Sequence, residues 1–171
     1  MENTYIFTTI LGDIKISESN DFITNIQFIK EDDSNPKTDI IVETMEQKSI
    51  LRSKETPLII QAVTQLEEYL SGTRKEFDLP LNPIGTEFQK SVWKILQIIP
   101  YGEHWSYKQV AIALFKPTAA RAVGMANNKN PLPIIIPCHR VIGANGDLVG
   151  YAGGLAIKEK LLKLEQGELW I

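Results

Sequence analysis

The sequence predicts a two-part protein, with an α/β unit (antiparallel sheet plus helix) over residues 1–84 and a mostly α unit with a helix-turn-helix over residues 85–171. Three observations carry that reading. Residues 1–30 hold three short β-branched runs, "TYIFTTI", "GDIKISE" and "FITNIQFI", separated by turn residues. "EFDLPLNPIG" (Glu76–Gly85) then interrupts the chain with two prolines and a glycine, as a linker does. Beyond it, Thr86 with Gln89 and Ser106 with Gln109 form capping boxes, each opening an apolar stripe at helical spacing.

The three runs read as an antiparallel meander, turning at Gly12-Asp13 and around Ser19-Asn20-Asp21. Residues 31–39 are polar, acidic and contain Pro36, so a loop is expected. Thr56-Pro57 reads as an N-cap and first helical residue, and Leu58, Ala62, Leu66, Tyr69 and Leu70 supply the buried stripe up to Ser71-Gly72. In the second unit a helix carries Phe88, Val92, Ile95, Leu96 and Ile99 and ends at Pro100-Tyr101-Gly102. The next carries Val110, Ala113 and Leu114, and "FKPT" separates it from "AARAVGMAN", for which Thr118 is the expected cap. That last helix surrounds Arg121 with small residues, Ala119, Ala120, Ala122, Gly124 and Ala126. Two readings fit: a tightly packed core helix with one snorkelling arginine, or a helix lying against DNA with Arg121 as a wedge.

Composition bounds the function. The net charge is −3, but residues 1–84 carry 8 Lys and Arg against 15 Asp and Glu, and residues 85–171 carry 10 against 6. Two readings fit this asymmetry: only the second unit meets a polyanion, or the charges are chance and solvated surface. No apolar run approaches the roughly 18 residues of a membrane span. The first residues lack the basic start of a signal peptide, and a lone cysteine excludes an internal disulfide, so a cytoplasmic location is expected. One Cys and two separated His cannot build the usual zinc sites, and no metal is expected.

The single cysteine lies in "NPLPIIIPCHRV". Pro131 and Pro133 end the preceding helix, Ile134–Ile136 read as a short buried strand, and Pro137 fixes the backbone before Cys138. Cys138 is either an inert buried thiol or a nucleophile. Arg140 and a protonatable His139 favour the thiolate. Neighbours on a strand point to opposite faces, so His139 would reach the sulfur through a water. His104 reads as a surface residue. A carboxylate could orient the histidine, and Glu165 in the final helix is one candidate. Asn145-Gly146 signals a hairpin turn, and "GYAGGLAIKEKLLKLEQG" a glycine-rich loop with a last helix whose Leu155, Leu161, Leu162 and Leu164 face mostly inward.

Together these segments carry a resemblance. "IPCHRVIGANGDLVGYAGGLAIKEKLLKLE", with "FQKSVWKILQIIPYG", "GEHWSYKQVA" and "AARAVGMANNKNPLPIIIP" upstream, is similar in order and spacing to the O6-alkylguanine-DNA alkyltransferases over residues 86–165. Residues 1–84 resemble that family only in length and strand-then-helix layout. The resemblance implies a ribonuclease H-like first unit and a winged-helix-like second unit. It implies direct-reversal DNA repair by a monomer with double-stranded DNA as partner. The alkyl group of O6-alkylguanine passes irreversibly to Cys138 after base flipping, with no cofactor and one turnover per molecule. O4-alkylthymine is a second candidate lesion.

The same resemblance implies the site. His139, oriented by Glu165, is the base, and Asn130 holds the network around it. Tyr107 helps rotate the nucleotide and gives the departing guanine a proton. Arg121 fills the vacated place in the stack, with Thr118, Ala119 and Ala120 beside it on the DNA. Val141, Tyr151, Ala152 and Lys158 bind the substrate base. Two departures stand out: Phe115-Lys116 occupies the turn where many members have glycine and asparagine, and Ala152 replaces the serine of some relatives. Alkyltransferase-like sensors carry tryptophan at the cysteine position, so Cys138 argues against that class. A Cys–His hydrolase would have only His104 as a distant partner, and a transcription regulator would want a more basic recognition helix.

Overall fold

The computed structural model describes residues 1–30 and 55–168; the expected loop at 31–39 falls outside them. Three strands, β1 (Glu2–Thr9), β2 (Gly12–Ser19) and β3 (Phe22–Phe28), form an antiparallel sheet in the order β1-β2-β3. The β2–β3 turn is a two-residue connection in which Asn20 (φ 52°) and Asp21 (φ 63°) both adopt left-handed backbone, the geometry that matches strand twist. Register places Ile14 opposite Phe7 and Phe28, and Ile16 opposite Ile26. Strict alternation could not bury both Ile23 and Ile26. Pairing of Ser17 with Asn25 and Glu18 with Ile23 leaves Thr24 as a bulge, which resets the faces.

Helix α1 (Pro57–Leu70) covers the sheet. Thr56 accepts from the Ile59 N–H as N-cap, Pro57 begins the helix, and Ile59, Ala62, Leu66 and Tyr69 are fully buried. Burial of the Ile59 and Leu66 side chains stabilises by roughly 1.5–3 kcal/mol each. The segment expected as a linker is a strap. Ile23 N–H donates to the Pro80 carbonyl (2.9 Å), Asn82 N–H to that of Ile23 (3.0 Å), and Gln65 of α1 brackets Asp78 from both sides. Ile26 N–H donates to the carbonyl of Pro131, so the second half also closes the β3 edge.

The second half contains α2 (Glu87–Leu96), α3 (Tyr107–Ala113), α4 (Ala120–Asn128) and α5 (Leu155–Glu165), with β4 (Trp105–Ser106) and β5 (Val141–Ile142) paired in parallel. Both capping boxes are formed. Trp93 of α2 is buried and donates its indole N–H to the Ala126 carbonyl of α4 (2.9 Å). Between α3 and α4 the chain reverses at Phe115, a non-glycine residue at φ 57°. Four sequence expectations are corrected. The first turn of the meander is Ile10-Leu11, and Gly12 and Asp13 pair with Thr9 and Thr8 as the start of β2. Ala119, not Thr118, caps α4, and no side chain bonds its first turn. Ile134–Ile136 form turns, not a strand, because Ile136 N–H folds back to the Leu132 carbonyl (2.8 Å) and Ile134 is left-handed (φ 74°). Gly143 to Asp147 turn tightly, but among the described residues β5 pairs with β4 alone, so no hairpin follows. In α5, Leu161 and Leu164 are buried while Leu155 is exposed. Among the described residues no helix is long and apolar enough to cross a membrane.

Candidate active site

Cys138 is placed by proline and asparagine chemistry. Pro137 (φ −81°, ψ 65°) is the centre of an inverse γ-turn, closed by the Cys138 N–H donating to the Ile136 carbonyl at 2.8 Å. Cys138 then begins a short 3-10 turn, Cys138–Arg140, and is not a strand end. Buried loop carbonyls need donors. Asn130 supplies one to Ile136 (2.8 Å) and accepts from Leu132 N–H (3.0 Å), while Asn127 donates to the Cys138 carbonyl (3.3 Å). The residue is 2% exposed, and burial pushes its thiol up to about 11, against the pull of the Asn130 amide and the Lys158 ammonium. The thiol therefore holds its proton at neutral pH, and the nucleophile needs a base.

His139 and Glu165 meet beside it. His139 Nε2 lies 2.8 Å from Glu165 Oε1. Arg140 grips the same carboxylate through Nε (2.9 Å to Oε2) and Nη2 (2.8 Å to Oε1), and Gly102 N–H donates to Oε2 at 3.2 Å. Burial pushes the Glu165 carboxyl up, but hydrogen bonds from His139 and Arg140 and their charge outweigh it and hold it at about 2. Glu165 is thus ionised and only accepts, so Nε2 carries the imidazole proton. Nδ1 keeps the lone pair and is buried without a protein partner. Burial lowers the His139 pKa, Glu165 opposes this, and the Arg140 and Lys158 charges add to it, so the ring is neutral.

The remaining predicted residues divide into two groups. Lys158, on α5, is buried and donates to the carbonyls of Val141 (2.6 Å), Val149 (2.9 Å) and Gly150 (3.3 Å). Burial lowers it to about 8 while the neighbouring Cys138 opposes the change. Tyr107, half-buried at the start of α3, donates to the same Val149 carbonyl at 2.8 Å and lies across α4 at Gly124. Tyr151 aims a buried, unpartnered hydroxyl inward, and its ring lies 5.9 Å from that of Phe28 on β3. Ala152 is exposed at the mouth of the same loop. Arg121, Thr118, Ala119 and Ala120 are not part of this cluster. They lie at the start of α4, with Arg121 and Thr118 exposed and the two alanines half-buried. His104 is also exposed.

One residue was given the wrong role by the sequence reading and another escaped it. Arg140, expected to favour the thiolate, spends its guanidinium on Glu165 and the Ile99 carbonyl (2.6 Å). Tyr69, read only as part of the α1 stripe, donates its hydroxyl to Glu165 Oε1 at 2.5 Å and stands 3.2 Å from His139 Nε2. Nothing in the pattern around Tyr69 separates it from a core aromatic. Among the described residues no cluster of three or more His, Cys, Asp or Glu could hold a metal ion.

Comparison with known proteins gives the same picture along the whole chain. Residues 3–83 match the 6-O-methylguanine DNA methyltransferase ribonuclease-like domain, and residues 87–167 match the DNA binding domain of that family. A methylated-DNA–protein-cysteine methyltransferase of Methanosarcina barkeri is 47% identical over 164 residues, 96% of this chain and 97% of its own. A constitutive methylated-DNA–protein-cysteine methyltransferase of Bacillus subtilis is 46% identical, covering 92% of each chain. The crystal structure of Mycobacterium tuberculosis OGT in complex with DNA superposes with a TM-score of 0.80 at 38% identity, covering 97% of this chain and 94% of that one. A ribonuclease-like sheet domain, a DNA binding domain and a buried Cys-His-Glu cluster are thus found in one chain, which belongs to the 6-O-methylguanine DNA methyltransferase family.

Proposed function

We propose that the protein repairs double-stranded DNA by moving the alkyl group of O6-alkylguanine onto Cys138, once per molecule and without a cofactor. The observation that carries this reading is the pairing of a buried, protonated thiol with a neutral histidine that keeps a free acceptor at Nδ1. The thiol proton passes to Nδ1 of His139 through a water. The sulfur then attacks the alkyl carbon, the carbon–oxygen bond breaks, and its electron pair stays on the guanine oxygen. Glu165 stabilises the imidazolium that forms. Tyr107, whose hydroxyl is raised by burial and so retains its proton, gives it to the departing base.

A thiol at the floor of this cluster cannot reach a base inside a duplex, so the nucleotide is flipped out. Arg121, exposed on α4 with Thr118, Ala119 and Ala120 at its start, fills the gap left in the stack. Val141, Tyr151, Ala152 and Lys158 line and hold the loop that receives the guanine, and Asn130 keeps the cysteine loop closed. Residues 1–84 act as support and residues 85–171 as the DNA-binding and transfer unit. The protein works as a monomer in the cytoplasm, where a lone thiol stays reduced.

The test is an intact-mass and peptide-mass assay after incubation with a duplex containing O6-methylguanine. The expected result is one methyl group on the peptide bearing Cys138, absent in Cys138→Ala. Tight binding of the lesion with no mass change overturns transfer and makes the protein a sensor.

A further inference from the structure

We propose that Tyr69, from the sheet-bearing half, is a positioning residue for the transfer: its hydroxyl fixes the His139 ring against Glu165 and holds the proton on Nε2. The inference rests on the reading of His139 as the base.

Tyr69 is fully buried at the end of α1. Its ring packs against Phe77 (5.3 Å) and Tyr101 (6.0 Å), with the imidazole centred 6.5 Å away. A phenol has one proton. The carboxylate can only accept, so that proton goes to Glu165 Oε1, and the oxygen turns a lone pair toward Nε2. Both neighbours of Nε2 are then acceptors. The tautomer with its proton on Nδ1 would set the Nε2 lone pair against two oxygens instead of one. Donation to Glu165 also draws on the carboxylate charge and weakens its hold on an imidazolium, which helps keep His139 neutral before reaction.

The titratable and charged groups around the His139–Glu165 pair are Lys158 of α5, Cys138 and Arg140 of the 3-10 turn, Tyr101 after α2, Tyr151 of the following loop, and Tyr69. Tyr69 alone of these comes from the first half. Packing could be met by phenylalanine, and a buried hydroxyl without partners is costly. Here both of its partners are the reacting pair.

The experiment measures transfer from an O6-methylguanine duplex at a single turnover, as a function of pH, for the full chain and for Tyr69→Phe. Duplex affinity, thermal midpoint and the ¹⁵N shifts of the His139 ring are followed alongside. Tyr69→Phe is expected to slow transfer about tenfold near neutral pH and to leave duplex affinity unchanged. The acidic limb of the rate profile moves to higher pH, and the Nε2–H signature weakens. Tyr69→Leu, which also removes the ring, adds a loss of thermal stability. A wild-type rate and limb in Tyr69→Phe overturns the proposal. So does a uniform slowing with the limb and the ¹⁵N shifts unmoved, which is packing alone. His139→Ala separates the two readings: full transfer there overturns the base assignment and this proposal together. Slow His139→Ala beside wild-type Tyr69→Phe overturns only the role of Tyr69.

Discussion

His139 faces Glu165 through Nε2 at 2.8 Å and leaves Nδ1 buried with no protein partner. One nitrogen is fixed as a donor by a charged acceptor, and the other is left with nothing to do until a proton arrives. An inert core histidine would satisfy both nitrogens. The arrangement is a base held ready, and it turns several other contacts into measurable quantities.

The carboxylate comes first. Glu165 is held at about 2 against an ordinary 4.5, so the folded state binds its proton less readily than the unfolded chain does. The stabilisation is complete above the unfolded value and is lost as pH falls from there through the folded one. Its size is on the order of 3 kcal/mol. Urea unfolding followed across that acidic range should show the loss. Glu165→Gln should be less stable at neutral pH by about 3–5 kcal/mol, because Arg140 keeps its buried charge, and should respond less to acid. Equal slopes in both proteins would remove Glu165 from the account.

Lys158 ties three carbonyls together and lies close enough to Cys138 to draw its thiol down. Lys158→Met should cost about 2–3 kcal/mol through the unsatisfied carbonyls and slow transfer more than about tenfold. Lys158→Arg should not restore the rate, since a planar guanidinium does not fit three converging acceptors on one point. Full activity in Lys158→Arg would mean that charge alone matters.

Arg121 is exposed on α4, so Arg121→Ala should leave stability within about 0.5 kcal/mol. Transfer from duplex DNA should fall about tenfold or more, while transfer from a single-stranded oligonucleotide carrying O6-methylguanine, which leaves no gap in a duplex to fill, stays nearly unchanged. Equal losses on both substrates would place Arg121 in the chemistry and not in the duplex.

Phe115 holds a left-handed backbone at φ 57° with 94% of its surface exposed, so it pays strain without packing in return. Phe115→Gly should raise stability by about 0.5–1 kcal/mol, the relief of strain less the added freedom of the unfolded chain. Phe115→Ala should give no gain. Thermal midpoints decide this.

What the sequence made legible was local. The Asn20-Asp21 turn, the Thr56-Pro57 start of α1 and both capping boxes act within four residues and formed where expected, whereas the first turn of the meander falls at Ile10-Leu11 and not at Gly12-Asp13. Three consecutive isoleucines read as strand, yet Asn130 claims the Ile136 carbonyl and Ile134 turns left-handed, a choice that no propensity announces. The strap over β3 was hidden because its prolines look the same in a free linker. From the residues alone Glu165 was reachable only as a carboxylate in the final helix, its role coming from the family resemblance, and Tyr69 was not reachable at all. Its bond to Glu165 spans 96 positions, beyond the reach of any local pattern.

The inverse γ-turn at Pro137 also says which chemistry the cysteine is not built for. Cysteine hydrolases that cleave acyl groups place peptide N–H groups where a tetrahedral oxyanion grows, and the nucleophile's own N–H often serves. Here the Cys138 N–H is committed to the Ile136 carbonyl at 2.8 Å. Displacement at a saturated carbon raises no such anion beside the sulfur, so the loop is free to close on itself and hold the thiol rigid.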